Sequence, residues 1–392
     1  MSITQPNGVL GTPNNIVFVS SKSDLPPAIA GVITLLDNTL YEFTGTVDLN
    51  GDRLVGGRNT VLAGTSSESA FLKSTGLVGT ALITSEWSLP MRNLGITADI
   101  AVDLDASGNA NQALDWIAVN FVDCGEVGTI ANYSNFIYNF SAILNSGGMT
   151  VDGTIGTVGI TNSLLQGDGT GKTLLNIPST ATITRRVRVS DSSFVVFGSD
   201  TGTNISNSAT IPTEGVILDG VNFGGGATYN AGVQFDDNKA WFRDCRGVMN
   251  SNEIGQYTMT GNATVTTISA LSTPVKVAGT TTASAVNQKF THTSNRLTYT
   301  GAITRDFYVS ATVTLSSGNN NQVGVYVTKN GLTLDESETY LTTNTGGRVE
   351  NGMVQTLVEL SENDYIEIFV ENNTSTTNVT VQDLNTVIRS VN

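Results

Sequence analysis

Between about Arg92 and Gly247, short apolar runs recur, and each ends in a small polar turn. The marks are Met91-Arg92-Asn93-Leu94-Gly95, Asn120-Phe121-Val122-Asp123-Cys124, Gly159-Ile160-Thr161-Asn162-Ser163, Arg188-Val189-Ser190-Asp191-Ser192, Val216-Ile217-Leu218-Asp219-Gly220 and Phe242-Arg243-Asp244-Cys245-Arg246. Counted on the Asn or Asp, the intervals are 30, 39, 29, 28 and 25 residues. That loose period lies in the range of roughly 20–50 residues that marks solenoids and arrays. One rung of such a chain cannot bury its own inward side chains, but rungs above and below close the core over it. Asn, Asp and Gly suit the corners because they tolerate left-handed backbone angles. The pattern predicts a parallel β-solenoid over residues 31–258. A sandwich would be expected to turn every 8–12 residues or so.

From about Ala285 the pattern changes. Phe307, Val309, Ala311, Val313 and Leu315 alternate with Tyr308, Ser310, Thr312 and Thr314. Val323, Val325 and Val327 repeat the alternation, as do Ile366, Ile368 and Val370. Period two means sheets with one buried face, and Lys329-Asn330-Gly331 suits an antiparallel connection. Residues 285–392 therefore read as a separate antiparallel jelly-roll sandwich, with 259–284 as connecting strands or linker. Ser23-Asp24-Leu25-Pro26-Pro27-Ala28-Ile29-Ala30-Gly31 has a capping residue, early prolines and a closing glycine, which predicts a short helix covering the solenoid's open end. Residues 1–30 are thus expected to form an attachment arm with that cap.

Only 14% of the 392 residues are charged, against 39% apolar, and the net charge is −15. Such a balance fits an all-β chain with neutral polar faces. It argues against binding a nucleic-acid backbone, which needs clustered Lys and Arg. Arg185-Arg186-Val187-Arg188 is the local exception, and strict alternation would split it over two strand faces. No charged-then-apolar leader is visible, and no apolar run approaches a membrane span, so folding in a cytosol and no membrane insertion are expected. Cys124 and Cys245 read as buried small side chains at the same point of two distant rungs, too far apart to bridge.

Several constellations invite chemistry. Gly167-Asp168-Gly169-Thr170-Gly171-Lys172-Thr173 resembles a phosphate loop, but Gln166 stands where the motif needs its first glycine, and a strand, not a helix, follows. It reads as a glycine-rich corner. Asp48-Leu49-Asn50-Gly51-Asp52 and Asp103-Leu104-Asp105-Ala106-Ser107-Gly108-Asn109 resemble half of a calcium loop, with Asn59 and Leu114 where a bidentate Glu is required. No metal or other cofactor is assigned on that basis. His292 is the only histidine, which disfavours a His-based zinc site or a Ser-His-Asp triad. Carboxylates alone suffice for glycoside hydrolysis, and the candidates are Asp191, Asp200, Glu214, Asp219, Asp236 and Asp237. Trp87, Trp116 and Trp241 could stack on sugar rings, or belong to the core or a subunit interface.

Leu297-Thr298-Tyr299-Thr300-Gly301, Phe307-Tyr308-Val309-Ser310-Ala311, Val325-Tyr326-Val327-Thr328-Lys329-Asn330-Gly331 and Leu360-Ser361-Glu362-Asn363-Asp364-Tyr365-Ile366-Glu367-Ile368 follow in order. The series resembles the trimeric tumour-necrosis-factor-like jelly rolls at the ends of phage fibres and in complement-type heads. Ser23-Asp24-Leu25-Pro26, Gly31-Val32-Ile33 and Leu40-Tyr41-Glu42-Phe43 resemble the start of β-helical phage virion proteins. The resemblance implies a homotrimeric virion appendage of a bacteriophage, with a distal C-terminal head for a host-surface glycan or protein. The N-terminal arm would hold another virion protein. A capsid decoration protein or head fibre, and a polysaccharide depolymerase, share the architecture; no catalytic residue is expected in the structural reading.

Overall fold

Inward-facing side chains build the first unit. In the computed structural model, which describes residues 13–109, 111–226, 228–235, 237–251, 253–301, 303–344 and 349–391, parallel strand pairing aligns Val17, Tyr41, Leu62, Met91, Trp116, Tyr138, Ile160, Val189, Leu218 and Phe242 in one column. From Tyr41 upward every member is at most 1% exposed. Ten strands stack this way from Asn15–Val19 to Ala240–Arg243; six more continue the same sheet around a corner, and a separate sheet of nine parallel strands closes the coil. The unit is a parallel β-solenoid of about nine turns. Trp116 packs edge-on against Phe136 with ring centroids 5.1 Å apart, and its Nε1–H donates to the Leu89 carbonyl at 3.1 Å. The bulkiest core residue thus leaves no orphaned donor.

The corner column explains why the sequence period looked irregular. Asn93, Ala118, Phe140, Asn162, Asp191, Gly220 and Asp244 occupy it in successive turns, all with φ between 49° and 65°. Ala118 and Phe140 have no intrinsic preference for that conformation. Ladder hydrogen bonds on either side hold them there, so two turns pass without a polar mark. Asp219 lies one residue before its corner, at Gly220. Asp123 belongs to the next corner, beside Asn145, whose Nδ2 donates to Asp123 Oδ1 at 2.7 Å.

Cys124 and Cys245 consequently stand at different corners, not at one repeated point. The register puts Cys245 in a column with Ser141, Ser163 and Ser192, and Cys124 in a column with Ser146. In the first column each serine donates to the carbonyl two residues back, at 2.8 Å, and accepts the backbone N–H of the turn below, at 3.0–3.3 Å. The thiols copy the donation loosely: Cys245 Sγ reaches the Arg243 carbonyl at 3.3 Å, and Cys124 Sγ lies 3.7 Å from the Val122 carbonyl and 3.4 Å from the Ile96 carbonyl of the preceding turn. Both are free, and burial pushes the Cys124 thiol up to about 11.

At the base, the expected helix over Ser23–Gly31 is a single 3₁₀ turn, Lys22–Asp24. Asp24 Oδ2 accepts the Ser20 and Ser21 amides at 2.9 Å, but Pro26 and Pro27 lack the N–H groups a longer helix needs. Leu25 is nonetheless buried in the solenoid core. Strand Asn15–Val19 pairs with Thr39–Phe43 and is already the first rung, so the coil starts inside the expected 1–30 arm. Residues 1–12 of that arm lie outside the described residues.

The chain divides at Asn250/Ser251. The second unit therefore takes in the expected linker, because 259–284 and the strand before it have apolar side chains to bury. Ile254–Met259 pairs antiparallel with Thr380–Ser390, Thr282–Ala283 with Ile254–Met259, and Val275–Lys276 with Tyr365–Asn372. Tyr257, Met259, Ile268 and Val277 join the sandwich core. One antiparallel sheet runs Thr282–Ala283, Ile254–Met259, Thr380–Ser390, Arg305–Ser316, Glu350–Leu360. The other centres on Tyr365–Asn372 and Gln322–Lys329. Phe307, Val309, Ala311, Val313 and Leu315 face inward as their alternation predicts, completing an all-β jelly roll.

Candidate functional site on the loop-bearing flank

One corner of the solenoid, where the nine-stranded sheet hands over to the ten-stranded face, carries several long connections, including residues 106–112, 206–215 and 233–239. Side-chain amides bind its turns together. Asn132, at φ 63°, donates from Nδ2 to Asp105 Oδ1 at 2.7 Å and accepts the Thr154 N–H at 2.9 Å. Asp105 Oδ1 also accepts the Ser107 N–H at 2.9 Å. The expected half calcium loop is therefore a turn whose carboxylate already holds donors. Asp48 behaves likewise, accepting the Asn50 and Thr75 amides at 2.8 and 2.9 Å, while Asp52 pairs with Lys22 at 2.6 Å.

Beside Asn132 lies a cleft of about 540 Å³, lined by Ser107, Asn111, Ser134, Thr154, Thr184 and Arg185 among others. A β-bulge shapes it. Ile155 pairs with Ile183 but Thr157 pairs with Arg186, so Gly156 alone faces both Thr184 and Arg185. A Cβ at Gly156 would come within 2.0 Å of the Ser134 carbonyl oxygen, so only glycine permits this close approach. The bulge also corrects the expected split of the arginine run. Thr184, Arg185 and Arg186 are all exposed, and Arg188 follows on the same outward face.

Among the described residues, the carboxylates named from sequence fall at several places on the coil. Asp200 is 1% exposed and is a structural anchor for the glycine-rich corner. Its Oδ1 accepts the Gly171 and Lys172 amides at 3.0 Å, and its Oδ2 the Gly169 amide at 2.7 Å. The phosphate-loop look-alike wraps a carboxylate of its own chain; a Cβ at Gly167 would sit 2.0 Å from Asp200 Oδ2. Asp219 is clasped by Arg243, with Nε 3.1 Å from Oδ1 and NH2 2.9 Å from Oδ2, and Arg188 stands 3.5 Å away. Asp191 occupies the corner column of Asn93 and Asn162. Glu214 and Asp237 share the loop-bearing flank, where the Glu214 amide donates to the Asn238 carbonyl at 2.8 Å and Asp237 Oδ2 accepts the Gln234 amide at 2.6 Å. Asp236 lies outside the described residues.

Sequence reading passed over Asp115. It faces outward opposite Ile137, and burial lifts its carboxyl above the ordinary value, opposed by Arg92. His292 lies in the sandwich, where its Nε2 meets Thr281 Oγ1 at 2.6 Å and burial lowers its pKa. Because Thr281 donates to Asn295 Oδ1 at 2.8 Å, its oxygen must accept from His292. Trp116 is core, Trp87 lies under the Arg58 guanidinium at 5.9 Å, and Trp241 stands on the outward face opposite Ile217. The cleft thus offers hydroxyl and amide groups with the exposed Arg185 at its edge.

No family model and no curated protein matches the chain. Solved structures similar to it include murine APRIL, with 10% identity and TM-score 0.26, covering 35% of this chain and 98% of that one. Eiger TNF from S. frugiperda gives 9% identity and TM-score 0.25, covering 35% and 92%. The enzymatically active domain of Bacteriophage CBA120 tailspike protein 4 gives 9% identity and TM-score 0.25, covering 91% and 68%. At these values the likenesses carry no weight for function, and the fold stands on its own strand pairing.

Proposed function

We propose that the chain is a structural virion appendage of a bacteriophage, a homotrimeric fibre or spike whose C-terminal sandwich is a distal head for host-surface adhesion. The observation that carries the reading is the outer face of the sandwich's five-stranded sheet. Tyr308 lies opposite Leu357, Thr312 opposite Met353, and Ser310 opposite Val387. Met353 is 51% and Leu357 61% exposed. Across its middle the face is neutral, with Asp306, Glu359 and Arg389 toward one end and Asp383 toward the other. A broad uncharged sheet face with exposed Met and Leu suits burial against other copies of the same chain. The number three comes from the motif series, and the first residues of the chain are the expected attachment point.

A capsid decoration protein would use the same architecture at another place on the particle. Native mass of the full chain tests the assembly: three copies are expected, and the mass of one chain rejects it. Gold-labelled antibody against the sandwich, imaged on particles, tests the place. Label at the tail tip supports a fibre or spike, and label over the shell selects decoration. Release of reducing sugar from host polysaccharide would instead select the depolymerase reading.

A further inference from the structure

On the outward side of the sandwich's second sheet, three neighbouring strands bring two acid groups onto one phenol. In register, Glu371 lies opposite Gly324, and Gly324 lies opposite Tyr340. The glycine leaves the middle of that row bare, since a Cβ there would come within 2.9 Å of Glu371 Cγ. Glu371 reaches across toward Tyr326, two residues beyond Gly324. Its Oε1 accepts the Tyr326 hydroxyl at 2.7 Å and Asn373 Nδ2 at 2.7 Å. Glu338, at the end of the 3₁₀ turn Asp335–Ser337, brings its own Oε1 to the same Tyr326 hydroxyl. Tyr326 is 6% and Glu371 5% exposed.

Proton counting makes this arrangement conditional. A phenol has one O–H and can donate it to one carboxylate only. The second contact is a hydrogen bond only if the other carboxyl carries a proton and donates it to the phenol oxygen. With both carboxyls ionised, lone pair faces lone pair at one contact, and two like charges meet over a buried ring. Among the described residues, neither Glu338 nor Glu371 has a Lys or Arg within ion-pair distance, whereas Glu367, on the same face of the same strand, takes Lys276 at 2.5 Å and Arg296 at 3.0 Å. The other charges on the surrounding elements are turned elsewhere: Lys329 pairs with Asp364 at 2.9 Å, Glu350 accepts from Asn344, and Asp335 and Glu336 are exposed. Burial, then the hydrogen bonds to Glu338 and Glu371, push the Tyr326 hydroxyl far above its ordinary range, and Glu338 does the same more mildly to Tyr340. What the cluster fastens is segment 334–342. Its remaining ties to the strand Gln322–Lys329 are the Leu334 amide on the Val327 carbonyl at 3.0 Å, the Val327 amide on Ser337 Oγ at 2.9 Å, and the short ladder of Thr339–Thr342.

We propose that Glu338, Tyr326 and Glu371 form a proton-dependent clasp on segment 334–342, closed while the two carboxyls share one proton and loosened once both are ionised. The closed form holds the proton more tightly than the open one, so the clasp tightens as pH falls and slackens as pH rises. The inference goes beyond the appendage reading and does not rest on it.

The test is hydrogen exchange of the full-length protein, read by mass spectrometry at mildly acid and mildly alkaline pH and scaled to an unstructured peptide at each pH. Peptides spanning 334–342 should lose about tenfold or more of their protection on the alkaline side. Those spanning 307–315 should keep theirs, which controls for the sandwich as a whole. Glu338→Gln supplies an N–H to the phenol oxygen at every pH and should hold 334–342 near its acid level throughout, and Glu371→Gln should do the same. Equal protection of wild-type 334–342 at the two pH values overturns the inference. So does an alkaline loss that spreads equally to 307–315, or a wild-type pH response in both Gln variants. The wild-type comparison decides even where a variant fails to fold. Native mass and particle labelling are read separately, so the clasp can fail while the appendage reading stands, and the reverse.

Discussion

Replacing Asp200 by alanine would strip three backbone amides of their acceptor at once. In the folded chain Oδ1 takes Gly171 and Lys172 and Oδ2 takes Gly169, all within 3.0 Å, and the carboxylate is 1% exposed. A buried donor left unmade costs about 1–3 kcal/mol. The loop's outer residues, Asp168 and Thr170, border solvent, so water can reach part of it and the low end applies. The sum is about 3 kcal/mol, or roughly a hundredfold in the local opening equilibrium. Asn at this position keeps the shape but offers one oxygen, which can serve Gly171 and Lys172 while its NH₂ faces the Gly169 donor. It should cost about half as much. Because stacked turns open locally, hydrogen exchange read by mass spectrometry is the fitting assay. Peptides spanning 167–173 should lose about two orders of magnitude of protection in Asp200→Ala, with those spanning 128–144 unchanged. Unaltered exchange at Gly169, Gly171 and Lys172 would refute the reasoning.

The serine column makes a second prediction. Ser163→Ala should destabilise the turns around it by about 1 kcal/mol, while Ser163→Cys should be nearly neutral, since Cys245 already occupies the same column; a denaturation series reads both, and equal losses would refute the equivalence. Asp48 contributes to acid behaviour: although burial alone would raise it, hydrogen bonds from Thr75 and Asn50 and the nearby Lys73 hold its carboxyl at about 2, below the ordinary 3.8. The folded pKa is depressed, so the contribution is whole above about 4 and is lost as pH falls through 2. With the side chain 26% exposed, solvent screening reduces it to about 1 kcal/mol. Asp48→Asn should flatten that part of the pH-stability curve, and an unchanged curve between pH 4 and 2 would count against it. On the sandwich, Leu357→Glu with Met353→Glu should abolish the multimer while circular dichroism remains that of a folded β protein; a persistent trimer would move the interface elsewhere.

Inward alternation was legible in the chain itself. Phe307 to Leu315 bury the residues their period selects, because a pleated strand sends neighbours to opposite faces whatever surrounds it. Corners marked by Asn and Asp were legible too, since those side chains tolerate left-handed backbone. Ala118 and Phe140 were not, for their conformation is imposed by turns stacked on both sides. Nor could spacing reveal that Asp200 would fold into its own glycine-rich loop, or that Asp219 would be taken by Arg243 from the turn above. The arginine cluster depended on one extra residue in the Thr182–Ser190 strand. Local pattern therefore determined which side chains face the core and that the chain coils. Register between turns, a property of the stacked molecule alone, decided which corners coincide, which carboxylates are consumed as structure and where a cleft with the exposed Arg185 at its edge remains.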